Sequence, residues 1–132
     1  MGFGFGMIEI TIPLEPVAKG RPRIGKWGAY TPSKTRNFEK ACSFFLKEHH
    51  KLKPISGPLY CKVIFFFAPP KKPKHWLYPI SVRGGDIDNL CKSVLDAANG
   101  ILWEDDKQII HLEAFKFYNA KSCIKIFVEE RQ

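Results

Sequence analysis

GDIDNLCKSVLDAANGILWEDDKQ, residues 85–108, contains every aspartate of the chain, Asp86, Asp88, Asp96, Asp105 and Asp106, and between the first and last of them a single basic residue, Lys92. Leu90, Val94, Leu95 and Ala98 recur at three and four residues, so the spacing predicts a helix over Asn89–Ala98 with one apolar stripe. Asp88 or Asn89 is a suitable N-cap and Asn99-Gly100 a suitable stop. Trp103-Glu104-Asp105-Asp106 then makes an acidic turn, and Gln108 to Phe117 reads as a strand. Helix, turn and strand in this order place the segment in an α+β fold.

On the N-terminal side, Ile8, Ile10 and Ile12 alternate with Glu9 and Thr11, the period of a strand buried on one face, and Pro13 and Pro16 stop it. KGRPRIGKWGAYTPSKTR, residues 19–36, mixes Gly, Pro and base so densely that an irregular basic loop is expected up to Pro32. Ser33 is the expected N-cap of a helix running through Phe38, Cys42, Phe45, Leu46 and His49, with Pro54, Gly57 and Pro58 marking its end. Leu59 to Phe67 is apolar except for Lys62 and predicts a central strand covered on both faces. In PPKKPKHW, residues 69–76, three prolines remove backbone donors, leaving a second basic loop. Cys123 to Val128 is the last strand, and the turn around Asn119 to Lys121 predicts a hairpin with its predecessor. The whole reads as one α+β domain, residues 1–132, with a mixed sheet of about four strands and two helices in the order β-α-β-α-β-β. The opening MGFGFG, residues 1–6, reads as a leader before a structured start near Met7.

Charge is divided as unevenly as the aspartates. Residues 1–85 hold fifteen Lys and Arg against four Glu, a balance of +11, and residues 86–132 hold six against nine, a balance of −3. A diffuse positive field attracts phosphate backbones and predicts salt-dependent affinity for nucleic acid. Arg21, Arg23, Lys26, Lys34 and Arg36 in the first loop, and Lys71, Lys72 and Lys74 in the second, are the candidate phosphate contacts. Trp27, Tyr30 and Trp76 lie among them, either stacking on bases or packing the loops onto the core. Cys42, Cys61, Cys91 and Cys123 are scattered in apolar runs, as buried reduced thiols of a cytoplasmic protein would be. No apolar stretch has the length of a membrane span. His49, His50, His75 and His111 show no paired metal spacing and read as solvated or structural.

Short carboxylates gathered beside so much positive charge fit a hard divalent cation held next to a polyanion, the setting of phosphoryl chemistry. If the approach to the helix is extended, Asp86 and Asp88 project from one face about 6–7 Å apart at the backbone and can converge on one ion. The dipole of the following helix favours their ionised forms. Lys92 lies one turn beyond Asp88, within reach of a phosphate, or else forms an ordinary helix ion pair of about 0.2–0.5 kcal/mol. Asp96, a further turn on, reads as a solvated partner of Lys92. A third ligand is expected from Asp106 or Asp105, brought back beside Asp86 by an antiparallel return of the strand; the alternative is a solvated acidic turn.

DIDN followed by Lys92 and LDAANGILWEDDKQI, together with GRPRIGKWGAYTPSKTRNFE at residues 20–39, resembles the RusA family of Holliday-junction resolvases, phage and prophage endonucleases, in its Gram-positive and phage branch. The resemblance covers most of the chain and implies an α+β homodimer that binds four-way DNA junctions and cuts two opposed strands with Mg²⁺ or Mn²⁺, without a small-molecule cofactor. It assigns catalysis to Asp86, Asp88, Asp106 and Lys92, with Asp86, Asp88 and Asp106 holding metal and Asp105 as a further candidate ligand. A flap- or fork-specific nuclease would use the same site, and a basic DNA-binding module without catalysis is the reading from another class.

Overall fold

Ile8–Ile12 forms β1, in which buried Ile10 and Ile12 alternate with exposed Thr11 and Glu9, the one-sided strand its sequence predicts. The structure is a computed structural model and describes residues 6–80 and 85–131. All but Gly6 of the expected leader therefore lies outside the described residues.

The first basic loop is not wholly irregular. Arg23–Gly25 (β2) and Gly28–Tyr30 (β3) pair antiparallel, Arg23 opposite Tyr30 and Gly25 opposite Gly28. Gly28 holds φ at +111°, a conformation glycine adopts without strain in a two-residue turn, so Gly-Lys-Trp-Gly was a turn signal hidden among the charges. The first long helix, α1, spans Ser33–His49 and buries Thr35, Phe38, Cys42 and Leu46. Pro32 rather than Ser33 occupies the N-cap; the Ser33 hydroxyl accepts instead from Arg36 Nη2 at 3.3 Å. His49, expected on the apolar stripe, is exposed in the last turn.

Leu59–Phe67 (β4) is central, as its apolar run requires, with parallel β5, Ile109–Tyr118, on one side and antiparallel β6, Cys123–Glu130, on the other. β1 pairs antiparallel with β6, giving the mixed order β1-β6-β4-β5. The hairpin expected between the last two strands is absent because β4 is inserted between them. An apolar strand gains most in that position, and the link 119–122 is long enough to cross one strand, a gap of about 10 Å. The Asn119 amide donates to the Phe67 carbonyl at 2.9 Å as the link passes the end of β4. Coverage of β4 is unequal: Cys61, Val63 and Phe65 are fully buried, while Lys62, Ile64 and Phe66 on the opposite face are half-buried.

The second helix, α2, spans Ile87–Ala98 and seals the buried face with α1. Leu90 and Val94 meet Leu46, Phe65, Ile124 and Ile126 in one core, where each fully buried aliphatic side chain contributes about 1.5–3 kcal/mol. Cys42, Cys61 and Cys91 are buried and Cys123 is half-buried, all unpaired. Burial pushes the Cys42 and Cys61 thiols up to about 12 and that of Cys91 up to about 11, so they stay protonated and inert. Among the described residues no helix is long and apolar enough to cross a membrane.

Candidate active site and nucleic-acid interface

α2 begins two residues earlier than its apolar stripe suggests. Asp86 is its N-cap, in extended conformation, and the Asp86 carbonyl accepts the first helical hydrogen bond from Leu90 at 3.0 Å. Gly85 makes the early start possible: it holds φ at +92°, and a Cβ there would stand 3.0 Å from that of Ala18. Asp86 and Asp88 consequently do not share the face of an extended segment. Asp86 flanks the helix, and Asp88 lies in its first turn with Oδ1 accepting from the Asn89 amide at 2.9 Å. Both are exposed at the end where free amides and the helix dipole favour anions. Among the described residues neither enters an ion pair. Lys92 is exposed one turn beyond Asp88.

The first basic loop is fastened to this same helix end. The Lys19 amide donates to the Asn89 carbonyl at 2.8 Å. Ser93, fully buried, donates to the Val17 carbonyl at 2.6 Å. Only a hydroxyl interrupting the apolar stripe of α2 hinted at that role. Lys19 Nζ joins the two helices, bonding Glu39 of α1 and Asp96 of α2, the latter at 3.2 Å. Asp96 thus serves Lys19 rather than Lys92. Burial acts to lower the Lys19 pKa, but the hydrogen bonds it donates to Glu39 and Asp96 outweigh it and the net shift is upward.

Beyond Lys19 the loop opens into a cleft of ≈ 580 Å³ where Arg21, Arg23 and Lys34 converge. Its wall is held by the Gly20 amide, which donates to Thr35 Oγ1 at 2.9 Å. Lys26 and Arg36 are exposed outside this cleft. Trp27, at the hairpin tip, is 93% exposed with Lys26 Nζ 5.6 Å from its ring centre, and Tyr30 is also exposed. Neither ring packs into the core. In the second loop Lys71, Lys72, Lys74 and Trp76 are exposed. His75 shapes that loop: its Nδ1 accepts from the amides of Leu77 and Tyr78 at 3.2 and 3.1 Å.

At the other end of α2, buried Trp103 donates from Nε1 to Asn99 Oδ1 at 2.7 Å and fixes the acidic turn. Asp105 caps the short 3-10 turn Asp106–Gln108: its Oδ1 accepts from the Lys107 amide at 2.9 Å, and Gln108 Oε1 accepts from the Asp105 amide at 2.9 Å. Gln108 Nε2 also donates to the carbonyls of Ile55 and Gly57, at 2.7 and 3.0 Å. Asp106 is half-buried. Burial first, then the charges of Asp105 and Asp96, raise its pKa above the usual carboxylate range, against a smaller opposing effect of the Asn99 amide.

These neighbours put Asp106 at the C-terminal end of α2. Asp96 is ten residues from Asp86, about 15 Å at the helical rise, so Asp106 is a comparable distance from the other two aspartates. β5 does return antiparallel to α2, but the part reaching Asp86 is its second half: Ala114 to Phe117, with Tyr78 to Ile80, surround Asp86 in a cleft of ≈ 480 Å³. The expected convergence of Asp106 or Asp105 on Asp86 does not occur within one chain. Among the described residues no group of three His, Cys, Asp or Glu side chains is close enough to hold a metal ion. The donor chemistry suits a hard cation at Asp86 and Asp88; the donor number of a single chain does not complete it.

Residues 13–129 match the protein family described as Endodeoxyribonuclease RusA. The chain is 29% identical to the crossover junction endodeoxyribonuclease rusA of Lactococcus phage r1t, over 98% of this chain and 99% of the phage protein. It is 30% identical to the uncharacterized protein YqaN of Bacillus subtilis (strain 168), over 93% of this chain and 96% of that relative.

Proposed function

The chain belongs to the RusA family of endodeoxyribonucleases, and from that premise we propose that it is a structure-specific endonuclease that resolves four-way DNA junctions by paired, symmetric hydrolysis of opposed strands. The observation that carries this reading is the fastening of the basic loop, through Lys19, Val17 and Ser93, to the helix end that bears Asp86 and Asp88. A phosphate backbone lying in the cleft of Arg21, Arg23 and Lys34 is thereby delivered toward two exposed carboxylates and Lys92.

Asp86 and Asp88 of one protomer, with Asp106 of the partner subunit, are proposed to hold Mg²⁺, with Mn²⁺ able to substitute. When bound, the ion supplies polarisation of the scissile phosphate and a more acidic water. Asp86 and Asp88 offer their carboxylate oxygens beside the α2 N-terminus, whose dipole favours anionic groups. Lys92 offsets charge developing on the phosphoryl oxygens or orients the attacking water. The remaining exposed cations, Lys26, Arg36, Lys71, Lys72 and Lys74, extend the backbone contact, and Trp27 and Trp76 offer rings to unstacked bases. The protein acts as a cytoplasmic homodimer, since two cuts related by symmetry ask for two sites related by a two-fold axis.

End-labelled four-way junctions, compared with linear, flap and forked duplexes in Mg²⁺, Mn²⁺ and EDTA, test the reading. Symmetric paired nicks confined to the junction and abolished by EDTA are expected. Asp88→Asn is expected to lose cleavage while binding junctions as well as or better than the parent, because a carboxylate that repels phosphate is gone. Cleavage of flaps or forks in preference to junctions would reassign the substrate, and binding to every DNA without a metal-dependent product would leave a DNA-binding module.

A further inference from the structure

The sheet has two faces, and both helices pack on one of them. On the other, β4 and β5 set Ile64 beside Phe115 and Phe66 beside Phe117, and β6 adds Lys125 beside Ile64. The rings continue past the edge of the sheet. Phe117 lies 6.3 Å from Phe66 between ring centres, 6.0 Å from Phe115 and 5.7 Å from Tyr78, and Tyr78 stacks on His75 at 5.3 Å. The Tyr118 amide donates to the Leu77 carbonyl at 3.3 Å, which ties the second basic loop to β5 and holds Tyr78 in that row. Phe115 is 37% and Tyr78 44% exposed, and Trp76, next to His75, is 76% exposed. None of these rings belongs to the core that the helices close. A contiguous row of rings left in contact with water marks a binding surface.

We propose that this row is a further nucleic-acid site, a platform on which the bases of an unpaired DNA strand stack. Charge selects that occupant. Lys125 Nζ lies over Phe66 at 6.0 Å from the ring centre, so that ring backs the row while Phe115, Phe117 and Tyr78 offer their faces. Lys116 lines the cleft that these three rings share with Asp86, and exposed Lys71, Lys72 and Lys74 follow in the loop beyond His75. Phosphates between stacked bases would meet ammonium groups on both sides of the rings. The acidic groups of the same face lie toward its other end and are engaged or distant: Glu113 accepts from Tyr60 Oη at 2.6 Å, Glu129 pairs with Arg131 at 3.5 Å, and Glu9 stands on β1 at the opposite edge. Rings beside lysines suit a single strand because every base has a π-face, whereas a duplex keeps its base faces stacked on one another. Small four-stranded sheets that recognise single-stranded RNA display stacking rings in the same way. Such a platform does not depend on the junction reading; where both hold, the shared cleft leads a strand from the row to Asp86.

Fluorescence anisotropy of labelled oligothymidylate and of a labelled linear duplex of equal length, both in EDTA, reads binding without cleavage. Phe115→Leu and Tyr78→Leu keep apolar bulk and remove the ring. Each is expected to weaken single-strand binding about tenfold and to leave duplex binding unchanged. Equal weakening for both DNAs overturns the platform, and so does an unchanged single-strand affinity, which would leave the face to a polypeptide partner. Oligothymidylate carrying iododeoxyuridine gives a second test with the unsubstituted protein. Photocrosslinks are expected at Tyr78, Phe115 or Phe117, and crosslinks confined to Trp27 would overturn the platform by placing the strand on the first basic loop. Because no DNA is cut in either experiment, failure of the platform leaves junction cleavage untouched, and a protein that nicks no junction can still bind single strands on this row.

Discussion

Asp105 and Asp106 are adjacent and chemically identical, yet the structure gives them different tasks. Asp105 spends its carboxylate on the Lys107 amide, whereas Asp106 is crowded by Asp96 and Asp105 and enters no ion pair among the described residues. Asp105→Ala is accordingly expected to cost about 1 kcal/mol of stability through loss of a cap and to leave measurable cleavage, while Asp106→Asn removes cleavage without lowering the melting temperature. Thermal unfolding alongside junction assays separates the two, and the opposite assignment follows if Asp105→Ala alone abolishes turnover. Sequence could not divide these roles because the cap depends on Gln108 folding back onto the Asp105 amide. The same limit hid Lys19: nothing in KGRPR says that its ammonium bridges two helices. Its raised pKa means that its bridge to Glu39 and Asp96 is intact throughout neutral pH, below the ordinary lysine range, and is lost only as pH rises through the raised value. Lys19→Met should therefore cost about 1–2 kcal/mol at neutral pH and should flatten the alkaline fall in stability that the parent displays. Urea unfolding from neutral to strongly alkaline pH reads both effects, and equal alkaline slopes would count against the bridge.

At the scale of elements, periodicity carried β1, α1, β4 and α2 because each buries a stripe whose spacing its own residues record. What it missed lay in relations between elements. β5 and β6 looked like a hairpin since the link between them is short, but β4 gains more by being flanked than those two strands gain by touching. The β2–β3 hairpin was masked by charges, although its two glycines bracket the turn. That hairpin and the segment leading into it matter for DNA, because they gather Arg21, Arg23 and Lys34 around one cleft while Lys26 and Arg36 point elsewhere. If all three line the backbone path, replacing them with alanine should reduce the dependence of log affinity on log salt by about 0.9 for each phosphate contact removed. Replacing Lys26 and Arg36 should change the slope less. Titration of junction binding over a range of salt concentrations measures this, and equal slopes in the two variants would mean that the cleft does not carry the backbone.

For the molecule as a whole, the sequence announced the chemistry of the site but not its distribution. Five aspartates within one segment suggested a cluster; helix length forbids it, since α2 holds the first two and the last apart. β5 lies at an edge of the sheet, open to pairing with a second copy, and a lone sequence carries no record of which edge a partner covers. In a homodimer paired antiparallel through β5, exposed Leu112 would stand beside its own copy at the two-fold axis. Leu112→Asp places two carboxylates face to face at the axis and removes apolar contact from both copies, a pairing penalised in any antiparallel sheet. The variant is expected to sediment as a monomer, to retain a folded far-ultraviolet spectrum, and to lose cleavage of both junction strands together rather than one after the other. Met7→Asp, at an exposed apolar residue just before β1 on the opposite edge of the sheet, controls for the general cost of a surface charge and should leave mass and activity unchanged. A Leu112→Asp protein that stays dimeric and cuts normally would move the interface off β5. One that becomes monomeric and still nicks junctions would mean that a single chain suffices for the chemistry, with Asp106 no longer required from the partner.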